Sequence, residues 1–277
     1  MVEIGKYNSL RVVKDVEHGL YLDGGDKYGE ILIPRKYVSE DTKIDDMIDV
    51  FVYYDTEDRV IATTEQPYAT IGEFAGLQVI DVNKFGAFLD WGLIKDLFVP
   101  FREQKAKMQV GKTYVVYIDI DEKSERIVGS AKIENYLDNV PPMYREDQEV
   151  DIIVAGISDL GYTCIINSLH KGIIYKNEIF EDLYIGQQTK AYIKKVREDE
   201  KIDLYYHKKG LKASEDLSDI VHRRLKDNNG VLNISDKSDA ALINEEFGVS
   251  KKQFKKAVGH LYKQRLIKIE NDKITLL

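Results

Sequence analysis

The stretch Val79–Lys132 reads VIDVNKFGAFLDWGLIKDLFVPFREQKAKMQVGKTYVVYIDIDEKSERIVGSAK and gives the clearest indication of the architecture. It begins with a strand in which Phe85 and Phe88 flank a Gly-Ala pair, and it continues with further strands at Leu97–Val99 and Tyr114–Ile120. Val, Ile, Tyr and Phe favour strands, and several short strands with turns between them are typical of a small antiparallel barrel. The stretch therefore predicts a barrel with aromatic rings on its strands.

The same pattern occurs three times along the chain. EHGLYLDGGDKYGEILIPRKYV (Glu17–Val38) aligns with KFGAFLDWGLIKDLFVPFREQ (Lys84–Gln104), so that Pro34 and Pro100 coincide. A third, weaker copy begins with DLGYTCIINSLHKGIIYKNEIF at residues 159–180. The copies are roughly 65–75 residues apart, which suits a five-stranded Greek-key barrel. We therefore predict three related barrels in tandem.

The last part of the chain has a different period. From Ser214 the apolar residues recur about every 3.6 positions, which indicates helices. Helices are predicted from Ser214 to about Lys226, over Asp236–Phe247 and from Ser250 onward, and LIKIENDKITLL predicts a terminal hairpin. Three helices and a β-hairpin describe a winged helix.

Prolines mark the boundaries between these units. Pro67 separates the first two copies, and Pro141 with Pro142 separates the second from the third, because proline interrupts regular structure. The predicted fold is mainly β with an α/β tail. Its units are barrel 1 at residues 1–66, barrel 2 at residues 67–140, a degenerate barrel 3 at residues 141–210 and a winged-helix domain at residues 211–277.

Composition narrows the class of protein. The chain has no run of about twenty apolar residues, so no membrane span is expected. The N-terminus lacks an export signal and there is one cysteine, Cys164, which together predict a cytoplasmic protein. The five histidines show no metal-ligand spacing, and neither a phosphate-binding loop nor a nucleophile elbow occurs. We therefore expect no enzyme, no cofactor and no metal.

The charges are unevenly distributed along the chain. The net charge is −8, although a nucleic-acid-binding protein normally carries a basic surface. Residues 207–277 contain 15 lysines and arginines against 10 acidic residues, whereas residues 1–206 contain 25 against 38. The positive charge is therefore concentrated in the tail.

Barrel 2 contains the best candidate site for single-stranded nucleic acid. Aromatic rings on adjacent strands, if they point outward, form a platform on which bases stack. The predicted platform consists of Phe85, Phe88 and Phe98, and the charged residues near it are Arg102, Asp121 and Arg126. The arginines are candidates for phosphate contact or base stacking. Asp121 is expected either to accept a hydrogen bond from a base edge or to hold Arg126 in place.

The other two barrels have poorer versions of this site. Barrel 1 has His18 and Tyr21 at the platform positions, Leu32 opposite Phe98, and the pair Asp55 and Arg59. In barrel 3 the rings and the arginine are replaced by Leu160, Thr163, Ile174 and Lys201. Barrel 3 is therefore predicted to serve as a structural unit or spacer.

The winged-helix domain contains the densest positive patch in the sequence. Five lysines lie on the polar side of its third predicted helix: Lys251, Lys252, Lys255, Lys256 and Lys263. The alternative is that they simply form a solvated helix face. Because winged helices bind nucleic acid through this helix, we expect these lysines to contact phosphates and to produce a strong salt dependence.

The quoted residues resemble known families. The stretches Lys84–Gln104 and Val110–Lys132 resemble the S1 RNA-binding domain, which is an OB-fold barrel. The whole arrangement, and above all the tail EEFGVSKKQFKKAVGHLYKQRLIKIENDKITLL, is similar to the bacterial CvfB (conserved virulence factor B) family, with three S1-like barrels and a winged helix. The resemblance implies RNA binding without catalysis and a regulatory role in gene expression. It assigns the aromatic, acidic and basic positions of the S1 site to the residues named above in barrels 1 and 2.

The sequence thus favours a non-catalytic regulator of bacterial gene expression that binds single-stranded RNA on its barrels and winged helix. Two alternatives remain open. One is a transcriptional regulator that binds DNA through the winged helix. The other is a protein–protein adaptor on the ribosome or the RNA-decay machinery, in which the barrels are scaffolds.

Overall fold

The structure, a computed structural model, describes residues 1–179, 182–206 and 213–277. The first fifteen strands form three closed five-stranded barrels, and the remaining strands form a small sheet in the tail. The fold class predicted from the sequence is therefore confirmed. The predicted boundary between residues 210 and 211 lies outside the described residues.

The first two barrels have the same strand order. In each, the first strand pairs with the second and the fourth, and the third pairs in parallel with the fifth. Barrel 1 consists of β1 (Tyr7–Val16), β2 (Gly19–Asp23), the short helix α1 (Gly25–Tyr28), β3 (Glu30–Pro34), β4 (Met47–Tyr54) and β5 (Val60–Thr63). Barrel 2 consists of β6 (Phe74–Val82), β7 (Gly86–Asp90), β8 (Leu97–Pro100), β9 (Thr113–Ile120) and β10 (Ile127–Ser130).

Barrel 3 repeats this order although its sequence is the least similar. Its strands are β11 (Glu149–Ile157), β12 (Gly161–Ile166), β13 (His170–Tyr175), β14 (Gln188–Val196) and β15 (Ile202–Tyr205). The first strand of every barrel has a register shift at the same place, in β1, β6 and β11. A bulge bends a strand and increases its twist, which helps a five-stranded sheet to close.

Each barrel has a glycine at the start of its second strand, and close packing of the strands explains why this glycine recurs in the repeat. Gly19, Gly86 and Gly161 lie so close to the facing strand that a Cβ atom would be 2.1–2.3 Å from its carbonyl oxygen. No other residue type fits at such a distance. The glycine between the two platform positions is therefore required for strand packing.

Barrels 1 and 2 pack against each other. Phe51 of β4 is fully buried, and its ring lies 5.8 Å from the ring of Trp91, which follows β7. Phe51 and Tyr53 belong to the same apolar cluster as the interior of barrel 2. The indole N–H of Trp91 donates a 2.6 Å hydrogen bond to the carbonyl oxygen of Lys95, which fixes the loop between β7 and β8.

Barrels 2 and 3 also share a contact. Phe74, Val115 and Ile133 of barrel 2 lie in one apolar cluster with Ile165 of barrel 3. The backbones meet closely at Gly76, where a Cβ atom would lie 2.2 Å from the Cα atom of Gly186. The three barrels are therefore joined through packed side chains and backbone as well as through the chain.

The tail has the predicted winged-helix architecture. Its elements are α2 (Ala213–Asp227), β16 (Val231–Leu232), α3 (Ala240–Phe247), α4 (Lys251–Lys263), β17 (Ile267–Ile269) and β18 (Ile274–Leu276). An apolar core forms between the helices and the sheet, with Phe254 and Val258 of α4 fully buried against Val221 and Leu225 of α2.

Two details of the tail differ from the prediction. The second helix begins at Ala240 and not at Asp236, because residues 235–238 form a turn and the Asp239 side chain caps the helix. The terminal hairpin is a three-stranded sheet, since β16 pairs with β18. Within the described part of the chain, no α-helix combines the length and the apolar character that a membrane span requires.

Candidate nucleic-acid interface

The three platform phenylalanines of barrel 2 lie together on its outer surface. Phe88 of β7 and Phe98 of β8 are directly opposite each other in register, and their ring centroids are 5.2 Å apart. Their strand neighbours, such as Leu89 and Leu97, fill the barrel interior, so the alternation of the strands turns both rings outward. Phe85 precedes β7 and is 62% exposed. These rings provide apolar faces that are accessible to a ligand.

A short turn fixes the position of Phe85. The side-chain oxygen of Asn83 accepts hydrogen bonds from the N–H groups of Phe85 and Gly86, at 2.8 and 3.2 Å. The ammonium group of Lys84 lies 5.0 Å from the centre of the Phe85 ring. A cation over an aromatic face is attracted by it, so Lys84 adds positive charge beside the exposed ring.

The platform forms one wall of a cleft between barrels 1 and 2. The cleft has a volume of about 590 Å³. Barrel 2 contributes all six predicted site residues of this barrel: Phe85, Phe88, Phe98, Arg102, Asp121 and Arg126. Barrel 1 contributes Tyr53, Tyr54, Thr56 and Asp58 to the other wall. The predicted residues are therefore brought together, but in a composite site that a single barrel cannot form.

The predicted pairing of Asp121 with Arg126 is wrong. Asp121 forms an ion pair with Arg102, and Arg126 reaches across to Asp58 of barrel 1 at 2.5 Å. Hydrogen bonds from the Ser124 side chain and backbone, and the charge of Arg102, hold the pKa of Asp121 below its ordinary value. Asp121 therefore stays ionised and keeps Arg102 in position.

Lys95 is a cleft residue that the sequence reasoning missed. Its ammonium group donates a 2.6 Å hydrogen bond to the backbone carbonyl of Asp55 and lies 3.4 Å from the Asp58 carboxylate. Lys95 and Arg126 thus both hold barrel 1 to barrel 2 through Asp58. No sequence signal identifies these contacts, because they join residues from different repeats.

In barrel 1 the predicted residues form a smaller surface. The rings of His18 and Tyr21 are 6.2 Å apart, and Leu32 lies opposite Tyr21. The guanidinium of Arg59 donates a 2.8 Å hydrogen bond to Asp55. Burial of Asp55 opposes its ionisation, but hydrogen bonds from the backbone and side chain of Arg59 outweigh burial and lower its pKa. The predicted Asp55–Arg59 pair is present.

In barrel 3 one predicted correspondence is wrong by one residue. Thr163 lies opposite Ile173, so Ile173 is the counterpart of Phe98, whereas Ile174 is fully buried in the barrel. A shift of one residue moves a strand side chain to the opposite face. Leu160 is exposed, and Lys201 pairs with Asp199. The outward face of barrel 3 has aliphatic and hydroxyl groups at the three positions.

Four of the α4 lysines are exposed on the polar side of the helix, whereas Lys251 in its first turn is half-buried: the exposed ones are Lys252, Lys255, Lys256 and Lys263. Ser250 and Gln253 form a capping box that fixes the start of α4. Lys251 donates a hydrogen bond to the carbonyl oxygen of Lys237, and Lys255 lies 3.9 Å from Asp236. The other three lysines have no hydrogen-bond or ion-pair partner among the residues that the structure describes: Lys252, Lys256 and Lys263. These three form the freely available positive charge of the helix.

Comparisons with known families agree with this architecture. The S1 domain family matches residues 4–65 and 71–129, and the CvfB-like winged helix domain matches residues 219–276. These matches together span more than half of the chain. Both are families of nucleic-acid-binding domains rather than of enzymes.

Relatives match along almost the whole chain. Conserved virulence factor B of Staphylococcus aureus (strain N315) is 24% identical over 283 residues, which cover 99% of this chain and 94% of that protein. YitL of Bacillus subtilis (strain 168) is 25% identical over 275 residues, which cover 96% of this chain and 91% of that protein. A crystal structure of a multidomain protein with nucleic acid binding domains from Streptococcus pneumoniae TIGR4 has 22% identity and a TM-score of 0.47, and covers 99% of this chain and 98% of its own. The chain thus has tandem S1 domains and a CvfB-like winged helix domain, and relatives named conserved virulence factor B match it along almost its whole length.

Proposed function

We propose that this protein is a non-catalytic regulator of bacterial gene expression that binds single-stranded RNA. The observation that carries the proposal is the cleft between barrels 1 and 2, in which Phe85, Phe88 and Phe98 lie beside Arg102 and Arg126. Exposed rings stack with unpaired bases, and guanidinium groups bind phosphate or stack on a base. Such a site suits a flexible single strand better than a rigid duplex.

Each domain has its own proposed role in RNA binding. Barrel 2 stacks bases, and barrel 1 adds the opposite wall of the cleft together with His18, Tyr21 and Arg59. Barrel 3 serves as a spacer, and the lysines of α4 bind phosphates. The proposed domain bounds are residues 1–66 for barrel 1, 67–140 for barrel 2, 141–210 for barrel 3 and 211–277 for the winged-helix domain.

The cations of the cleft are neutralised by neighbouring carboxylates, so the cleft suits bases better than phosphates. Arg102, Arg126 and Lys95 are each paired with a carboxylate, either Asp121 or Asp58. A phosphate therefore has to compete with an existing ion pair before it gains a cation. We infer that stacking supplies most of the affinity of the cleft and that electrostatic attraction is supplied mainly by α4.

A direct test compares ligands at matched salt. We expect the full chain to bind an unstructured RNA strand more tightly than a DNA duplex of the same length in fluorescence anisotropy titrations. Tighter binding of the duplex would favour the alternative in which the winged helix directs the protein to DNA. If neither ligand is bound at moderate salt, the adaptor hypothesis replaces both.

Asp58 offers a test of the competition within the cleft. We expect Asp58→Asn to raise the affinity for single-stranded RNA by about two- to fivefold, because Arg126 and Lys95 lose a competing carboxylate. The loss of stability is expected to stay below about 1 kcal/mol, since the Asp58 side chain is 45% exposed and exposed ion pairs contribute little. Anisotropy titration and thermal unfolding measure the two effects.

Asp45→Asn is the matched control for Asp58→Asn. Asp45 also lies in barrel 1 at a position of positive φ and pairs with Arg11 at 3.3 Å, but it does not line the cleft. The substitution removes the same charge from the same barrel and should leave RNA affinity almost unchanged. A lower affinity in Asp58→Asn would contradict the competition and assign Asp58 only to holding the barrels together.

A further inference from the structure

Asp96 is a carboxylate in the cleft to which the proposed function assigns no role. It lines the cleft directly before β8, two residues from Phe98, and so lies on the same face of the strand. The other two carboxylates of the cleft, Asp58 and Asp121, are paired with cations. Among the residues that the structure describes, Asp96 has no hydrogen-bond or ion-pair partner.

The position of Asp96 is unfavourable for a charge. Partial burial, and then the repulsion from Asp90 and Asp81, raise its pKa above the ordinary value. A half-buried carboxylate without a partner destabilises a folded protein, and proteins retain such groups mainly where function requires them. The structure itself gives no gain that offsets this cost.

The other barrels treat the same position differently. In barrel 1 the counterpart is Glu30, two residues before Leu32, and it lies 4.0 Å from Lys14. In barrel 3 the counterpart is Lys171, two residues before Ile173. Only the barrel with the complete aromatic platform combines it with an unpaired carboxylate, which points to a role in recognising what stacks there.

We propose that Asp96 accepts hydrogen bonds from a base stacked on Phe88 and Phe98, and that it selects guanine. This inference rests on the function proposed above. A carboxylate presents two acceptor oxygens, and the Watson–Crick edge of guanine presents two adjacent donors, N1–H and the exocyclic amino group. Uracil presents a single donor between two carbonyl oxygens, which the carboxylate repels. The same platform without Asp96 would stack both bases.

The experiment uses short uridine oligonucleotides with one central guanosine, inosine or uridine, and the full chain. Inosine differs from guanosine only in lacking the exocyclic amino group of the base. We expect the wild type to bind the guanosine strand about tenfold more tightly than the uridine strand, and several-fold more tightly than the inosine strand. In Asp96→Asn both ratios should approach one, because an amide replaces one acceptor with a donor.

Asp81→Asn is the matched control, since it removes a neighbouring charge from a side chain that does not line the cleft. It should keep the guanosine preference. Equal binding of guanosine and inosine by the wild type, or an unchanged ratio in Asp96→Asn, overturns the inference about Asp96 while RNA binding itself stands. If no strand is bound, the proposed function fails as well, and unchanged affinity after the loss of Phe85 and Phe88 excludes the cleft as the site of binding.

A second, independent observation concerns Gly259, in the interior of α4. Helix periodicity places it on the same face as Lys252, Lys255, Lys256 and Lys263, each within two turns. A Cβ atom at this position would meet nothing within 4 Å, so packing does not require glycine. Glycine in a helix interior is destabilising relative to alanine, which leaves the residue without a structural reason.

We infer that the sugar–phosphate backbone of a nucleic acid lies against α4 at Gly259. Glycine allows close approach of a helix backbone to a ligand, and the surrounding lysines complement the phosphate charge. Substitution tests this directly. Gly259→Ala and Gly259→Gln should both raise the melting temperature of the full chain, whereas affinity for nucleic acid should fall slightly with Ala and at least fivefold with Gln.

Single-stranded RNA, duplex RNA and duplex DNA are titrated separately, and the ligand that loses most affinity is the one that lies on α4. A stabilised Gly259→Gln protein with unchanged affinity for all three ligands would overturn this second inference. That result would not affect the proposal for the cleft, because substitution of Phe85 and Phe88 tests the cleft separately.

Discussion

Replacing Phe85 and Phe88 with alanine is expected to lower the affinity for single-stranded RNA at least tenfold. Each base stacked on an aromatic ring contributes roughly 1–3 kcal/mol, and a tenfold change corresponds to about 1.4 kcal/mol. Phe85 is 62% exposed, so its removal should leave the fold intact. Phe88 packs on Phe98, and its loss should cost about 1 kcal/mol of unfolding free energy.

Phe101→Ala is the control for this double substitution. Phe101 directly follows β8 and is 39% exposed, but it does not line the cleft. It removes an exposed ring of the same size from the same barrel, and RNA affinity should remain within about twofold of the wild type. Thermal unfolding of each variant separates lost contacts from lost structure. Unchanged affinity in a folded Phe85→Ala/Phe88→Ala protein would exclude the platform as the binding site.

The aromatic face of barrel 2 could be predicted because strand alternation is a local property. Once Leu89 and Leu97 are assigned to the interior, Phe88 and Phe98 must point outward. The same reasoning failed at Ile174, because without rings or a clear turn the third copy gives no signal for its register. Alignment of the repeats therefore predicts the fold of a copy more reliably than it predicts the face on which an individual side chain lies.

The composite nature of the cleft could not be predicted. Arg126 and Asp58 are separated by 68 positions in the chain and come from different repeats. Their contact depends on how one barrel packs on the next through Phe51 and Trp91, and no pattern within a repeat encodes that orientation. For the same reason Lys95 reads as an ordinary loop lysine. The assignment of these residues to RNA binding stays a prediction.

Neutralising Lys252, Lys256 and Lys263 to glutamine is expected to reduce both the affinity for nucleic acid and its salt dependence. These lysines have no partner in the described part of the chain, so each is available to a phosphate. The logarithm of the binding constant falls with the logarithm of salt concentration by roughly 0.7 per contacted phosphate in single strands and roughly 0.9 in duplex DNA. Losing three contacts should flatten the slope by about 2 for RNA and by nearly 3 for duplex DNA.

Titrations with RNA and with duplex DNA show which ligand undergoes the slope change expected for it. Two further sets of substitutions test whether the change arises from α4. Lys251→Gln with Lys255→Gln should have a smaller effect per lysine, because these two side chains already contact Lys237 and Asp236. Lys171→Gln, Lys195→Gln and Lys201→Gln together remove equal charge from barrel 3 and should leave the slope unchanged. An equal loss of slope in the barrel 3 variant would mean that overall charge matters and that α4 is merely a solvated face. A loss confined to α4 would show that this acidic protein attracts nucleic acid through one local patch.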